Sequence, residues 1–159
     1  MRQRYQYEVP GHNYRMTDLQ AALAVPQLAT YDAQVARRRA NALRLSELLA
    51  GIDGLVLPQQ LAGREHVWHQ YTVLLPDAAA AERDAVVQQL AERGVGSGVY
   101  YPKPVYDYEC YRNHPRVVVP EAPVATSVAA RCLSLPVHAH LSDDDLETIA
   151  AAVREVLAQ

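Results

Sequence analysis

Lys103 is the only lysine in the chain. An amine is the group that forms an imine with a carbonyl and then moves a proton. Lys103 stands between Pro102 and Pro104, a setting that reads as a solvated loop lysine. Asn13 and Arg15 lie just ahead of Thr17-Asp18-Leu19-Gln20, a hydroxyl-to-glutamine spacing that opens a helix. An amide donor beside a helix start suits an anion, and the same amide could instead close a local turn before Thr17. Arg15 could pair with a phosphate or with a carboxylate at a subunit interface. Tyr100, Tyr101, Tyr106, Tyr108 and Tyr111 crowd one stretch. Tyrosine joins a large apolar body to a polar tip, which suits a surface partly covered and partly wet. Stacking of nucleic-acid bases on these rings would call for interleaved basic residues, and only Lys103 and Arg112 are near. His12, His66, His114 and His140 show neither i, i+4 pairing nor cysteine partners at zinc spacing, so no metal site is expected. His69 falls on a strand face and reads as a core or interface residue. Cys110 and Cys132 make no disulfide framework, and reduced thiols in a cytoplasm are the expected state.

The elements that must position these residues follow from hydrophobic spacing. After the loop at 11–16, a helix begins at Thr17, and Pro26 predicts a kink or a break into two helices. Leu28, Tyr31, Val35, Ala42, Leu45, Leu49 and Ile52 then recur at steps of three and four, with Arg38 in one slot. Arg37, Arg38 and Arg39 are expected on the outer side, and Gly51 and Gly54 at the end. Residues 67–75 are β-branched and aromatic and predict a strand with Val67, His69, Tyr71 and Val73 on one face. A helix from Glu82 to Arg93, stopped by Gly94, and a second strand from Val95 to Tyr101 follow. Residues 102–120 read as an ordered loop, and Pro123 to Arg131 as a short helix with proline near its start. A third strand covers 132–137. Ser142 caps a last helix whose apolar face holds Leu146, Ile149, Val153 and Val156 or Leu157. The expected class is α+β, a short antiparallel sheet with helices on one face plus a long N-terminal helix.

The chain has 159 residues, half of them hydrophobic, enough for one domain with a real core. A net charge of −3 gives no bulk attraction to nucleic acid or anionic membrane. No apolar run approaches the roughly 20 residues that span a bilayer. The start, Met1 to Tyr5, has no apolar core of a secretory leader.

Several motifs in one order resemble the DegT/DnrJ/StrS family of pyridoxal-phosphate (PLP) sugar aminotransferases. They are Gly11-His12-Asn13-Tyr14-Arg15-Met16 followed by Thr17-Asp18-Leu19-Gln20-Ala21-Ala22, then Gln27-Leu28 and Arg37-Arg38, then Trp68-His69-Gln70-Tyr71. Arg83-Asp84, Gly94-Val95-Gly96, Tyr100-Tyr101-Pro102-Lys103-Pro104 and Leu133-Ser134-Leu135-Pro136-Val137-His138 complete the set.

The resemblance implies the C-terminal region of a fold-type-I enzyme, with its cofactor ring and Schiff-base lysine in a large domain ahead of Met1. On this reading no catalytic residue lies in the chain. Asn13 is the family's donor to the PLP phosphate of the partner subunit, and Arg15 a further cofactor-side candidate. Tyr100, Tyr101 and His138 are candidates for substrate binding, although many members carry histidine where Tyr100 stands. Residues 1–16 would belong to the large domain, 17–54 to a linking helix and 55–159 to the small domain. The complete enzyme would be a cytoplasmic homodimer that moves an amino group, from glutamate for example, to a nucleotide-linked keto sugar. Alternatives are a non-catalytic remnant or partner of a separately encoded large domain, and a PLP-dependent keto-sugar dehydratase.

Overall fold

The computed structural model describes residues 14–119 and 121–158. The chain divides into two compact units, Met1–Asp32 and Ala33–Gln159. One helix, α1 (Asp18–Leu49), runs through the division. Its start is the expected capping box: Gln20 N–H donates to Thr17 Oγ1 at 3.3 Å, and Thr17 N–H donates to Gln20 Oε1 at 3.0 Å. The helix continues through Pro26, so the expected break into two helices does not occur. A proline removes one backbone donor, and the turns on either side hold the helix across the gap. Gln27 Nε2 adds a bond to the Leu23 carbonyl at 3.0 Å. Within the first unit, Leu19, Leu23, Val25 and Leu28 are exposed.

In the second unit α1 buries Ala42, Leu45 and Leu49 of the predicted stripe, while its earlier members Leu28 and Tyr31, in the first unit, are exposed. Arg38 and Arg39, expected outside, are half-buried. Arg39 reaches Glu65 at 3.2 Å. The helix ends where Gly51 takes φ +79°, the left-handed conformation that glycine adopts without a Cβ penalty.

The sheet is smaller than the sequence predicted. β1 (Tyr71–Leu74) and β2 (Cys132–Leu135) pair antiparallel, with Tyr71 opposite Leu135 and Thr72 opposite Ser134. Residues 95–101, expected as the second strand, contribute one bridge, Gly98 to Ser134, and Val56 bridges Leu74 on the opposite edge. The glycines at 94, 96 and 98 leave little for a longer ladder to pack on. The strand at 67–75 also begins late. Trp68 takes φ +52°, which breaks the two-residue alternation. Val67 and His69 are therefore exposed while Trp68 and Tyr71 are both buried.

Tyr71, Val73, Leu133 and Leu135 face the core, which also holds Leu45, Leu49, Leu146, Ile149 and Val153. A 3-10 turn (Asp77–Glu82) leads into α2 (Arg83–Glu92). Gly94 follows it at φ +78°. The tyrosine-rich stretch contains a 3-10 turn at Val105–Asp107 and a single turn of helix, α3 (Glu109–Arg112). α4 (Pro123–Arg131) runs directly into β2, and α5 (Asp143–Leu157) closes the chain. Ser142 and Asp145 form a reciprocal capping box at the start of α5. Asn41, 2% exposed, donates from Nδ2 to the carbonyls of His138 (2.8 Å) and Leu141 (3.4 Å), tying α1 to the turn before α5.

Candidate active-site cavity

The face of the sheet turned away from the core is polar. Because Ser134 exchanges both backbone hydrogen bonds with Gly98, at 2.8 and 2.9 Å, its pairing with Thr72 is of the close, non-hydrogen-bonded kind. That brings Thr72 Oγ1 and Ser134 Oγ to 2.8 Å. These hydroxyls and Gln70 floor a cavity of about 490 Å3.

α4 supplies one wall through Val128 and Ala129, and the segment from Tyr100 to Tyr108 supplies the other. α4 is held in place by two arginines. Arg83 donates from Nη1 to the Ala129 carbonyl at 2.6 Å. Arg131 donates from Nε to the Leu75 carbonyl at 2.6 Å and pairs with Asp77, also at 2.6 Å. Arg83 thus satisfies a carbonyl in the last turn of α4, and Arg131 ties the end of α4 to the residue after β1.

Tyr101, on the lining of this cavity, is a backbone outlier. Its φ is +58°, which costs an L residue about 1–2 kcal/mol, and it precedes a proline, which favours extended backbone. Yet its side chain is 85% exposed, so no packing accounts for the conformation. Strain of this kind gathers at ligand-contact sites. Tyr100 lies at the boundary between this cavity and a second one of about 340 Å3, lined by His69, Ser97 and Gly98 among others. Lys103 Nζ lies 4.6 Å from the centre of the Tyr108 ring, a cation–π contact. Cys132, buried beneath, has its Sγ 3.6 Å from the Tyr100 carbonyl oxygen.

Of the residues singled out in the sequence, Tyr100 and Tyr101 line the larger cavity together. His138 lines neither cavity; it is exposed, its carbonyl accepts from Asn41, and its Nδ1 accepts from the His140 N–H at 3.3 Å. Arg15 is exposed in the first unit, with φ +24°. Asn13 lies outside the described residues. Gln70, Thr72, Ser134 and Gly98 were not singled out as site residues. The alternation Tyr71-in, Thr72-out was the available signal for Thr72, but the partner hydroxyl appears only once the register is known.

Among the described residues no group of three or more His, Cys, Asp or Glu could hold a metal ion. None of their helices is long and apolar enough to cross a membrane. Lys103 is exposed, with its ammonium over the Tyr108 ring.

The chain is similar in sequence and fold to known proteins. The chain is 36% identical over 158 residues to an Acidithiobacillus ferrooxidans UDP-N-acetyl-3-dehydro-alpha-D-glucosamine 3-aminotransferase, matching 98% of this chain and 40% of that protein. It is 35% identical over 156 residues to a Streptomyces venezuelae dTDP-3-amino-3,4,6-trideoxy-alpha-D-glucose transaminase, matching 97% of this chain and 39% of that one. Its fold superposes on the crystal structure of S. venezuelae DesV with a TM-score of 0.80 at 34% identity, covering all of this chain and 41% of DesV. A Brucella abortus aminotransferase superposes with a TM-score of 0.77 at 30% identity, covering 100% of this chain and 40% of that one. The chain thus spans about 40% of the length of the relatives it matches. The DegT/DnrJ/EryC1/StrS aminotransferase family matches residues 1–154, and the chain belongs to it.

Proposed function

We propose that this chain forms the substrate-receiving part of a PLP-dependent aminotransferase that acts on a nucleotide-linked keto sugar, with an amino acid such as glutamate as donor. One observation carries the reading: a strained, exposed tyrosine, Tyr101, on the rim of a cavity floored by paired hydroxyls. Aromatic faces take a nucleobase or the apolar face of a sugar ring, and hydroxyls and an amide on the floor orient hydroxyl groups. Lys103 at the cavity wall offers a cation to a diphosphate. Relatives named for action on UDP- and dTDP-linked sugars support the substrate class.

When bound, PLP would supply an electron sink for moving the amino group. The Gly11–Met16 motif supports assigning Asn13, with Arg15 beside it, to the phosphate of a cofactor in a partner subunit. Lys103 is outside the cofactor's chemistry on this reading.

Two measurements test it. Saturation-transfer NMR with dTDP-glucose and with UDP-N-acetylglucosamine should show contact between at least one of them and the chain, weakened by Tyr101→Ala; no contact with either at millimolar concentration defeats the proposal. PLP added to the chain and reduced with borohydride should leave Lys103 unlabelled in peptide mapping; stoichiometric labelling there would reassign that lysine as catalytic.

A further inference from the structure

The two cavities share Gln70, Tyr100 and Ser134 as lining residues, and of these three only Tyr100 carries a ring. That ring rests on Gly98. A Cβ added at Gly98 would lie 2.9 Å from Tyr100 Cε2, closer than real Cβ atoms approach, and a tight 3.2 Å from Cζ, so the ring would have to shift. Gly98 is itself pinned to β2, since its N–H and C=O both bond Ser134. Its φ lies outside the left-handed region, so backbone freedom does not explain a glycine here. Room for the ring does.

The two cavities differ in chemistry. Gln70 and Ser134 border both; beyond them the larger cavity adds Val105, Val128, Ala129 and the tyrosine faces, with Thr72 and Lys103. The smaller adds His69 and Ser97 beside Leu135, Pro136 and Val137. Ser97 Oγ is buried and has no hydrogen-bond partner among the described residues. A buried hydroxyl left unsatisfied is costly, and a hydroxylated ligand is one means of satisfying it.

We infer that Gly98 is a positioning residue that seats Tyr100 as a partition between two subsites, the larger taking the planar nucleoside end of the substrate and the smaller its hydroxylated sugar. The assignment rests on the nucleotide-sugar reading above and adds to it an orientation and a specificity determinant. Tyr100 keeps the base out of the polar subsite and borders the sugar within it.

Calorimetric titration with dTDP and with dTDP-glucose reads the two subsites separately. The wild-type chain should bind dTDP-glucose about tenfold tighter than dTDP, the difference one or two net hydrogen bonds make. Gly98→Ala should leave dTDP affinity in place and abolish the sugar's advantage, because the ring can no longer lie where it does. Tyr100→Ala should abolish it too. This side chain is half exposed, so that variant reads the partition even if Gly98→Ala folds poorly. Adding Gly98→Ala to Tyr100→Ala should change nothing further, since coupled residues are non-additive. If dTDP binds but glucose adds nothing in the wild type, or if both single variants keep the tenfold ratio, the partition is overturned and the nucleotide-sugar reading stands. If neither ligand binds, both fall.

Discussion

The Tyr71 hydroxyl shows how much one buried polar atom determines. Ser46 Oγ donates its single proton to the Ala42 carbonyl at 3.0 Å, so at the 2.8 Å contact with Tyr71 it is the phenol that donates. Burial pushes the Tyr71 phenol above its ordinary value, and the Ser46 hydroxyl, which can turn to donate to the phenolate, offsets part of the rise. A raised folded-state value means the folded chain holds this proton more tightly than the unfolded one. The contribution is therefore intact below about pH 10 and is lost as pH climbs through the folded-state value. Tyr71→Phe should cost about 1 kcal/mol at neutral pH and flatten the alkaline fall in stability, read by urea unfolding at a series of pH values. An unchanged alkaline slope would assign the effect elsewhere. Tyr101 behaves oppositely. Tyr101→Gly relieves a left-handed tyrosine, so the thermal midpoint should hold steady or rise while ligand contact is lost; a marked fall in the midpoint would mean the ring is structural. The crowd of tyrosines was legible in the sequence, but which of them carries strain was not, because a left-handed backbone at a single tyrosine leaves no mark in composition or spacing.

Among the elements, those announced by their own termini were read most accurately. Thr17 with Gln20 and Ser142 with Asp145 mark the starts of α1 and α5 through local side-chain bonds, and the run Pro123–Arg131 is α4 as expected. Elements that depend on distant partners were read less well. The stretch 95–101 has strand-like residues but meets β2 at Gly98 alone, and the left-handed turn at Trp68 shifts the phase of β1. At α5 the Ser142 hydroxyl, then the Ser142 backbone N–H, hold the Asp145 carboxyl below its ordinary range. A lowered folded-state value gives stability that is present above about pH 4 and disappears as pH falls toward that lower value. Ser142→Ala should cost about 1 kcal/mol, and Asp145→Asn should remove this part of the acid response, both read by circular dichroism across pH 2–6. An acid transition identical in Asp145→Asn and wild type would exclude the cap as its source.

At the largest scale, the core of the second unit joins the C-terminal part of α1, the inner face of the sheet and α5. Leu45, fully buried where these layers meet, should cost about 2–5 kcal/mol as Leu45→Ala, measured by urea unfolding; a loss below 1 kcal/mol would place the centre of the core elsewhere. The α+β class was legible because heptad-like spacing and alternating strands are local signals. The division at Asp32 was not, because the amphipathic stripe runs past it without a break. The sheet's margins have a consequence for handling the protein. Two four-residue strands would ordinarily leave outer edges able to recruit strands from other copies. Here Val56 occupies the margin of β1 and Gly98 that of β2. Short strands whose borders are already engaged make poor templates for cross-β growth, so concentrated samples of the folded chain should resist thioflavin-positive fibre formation.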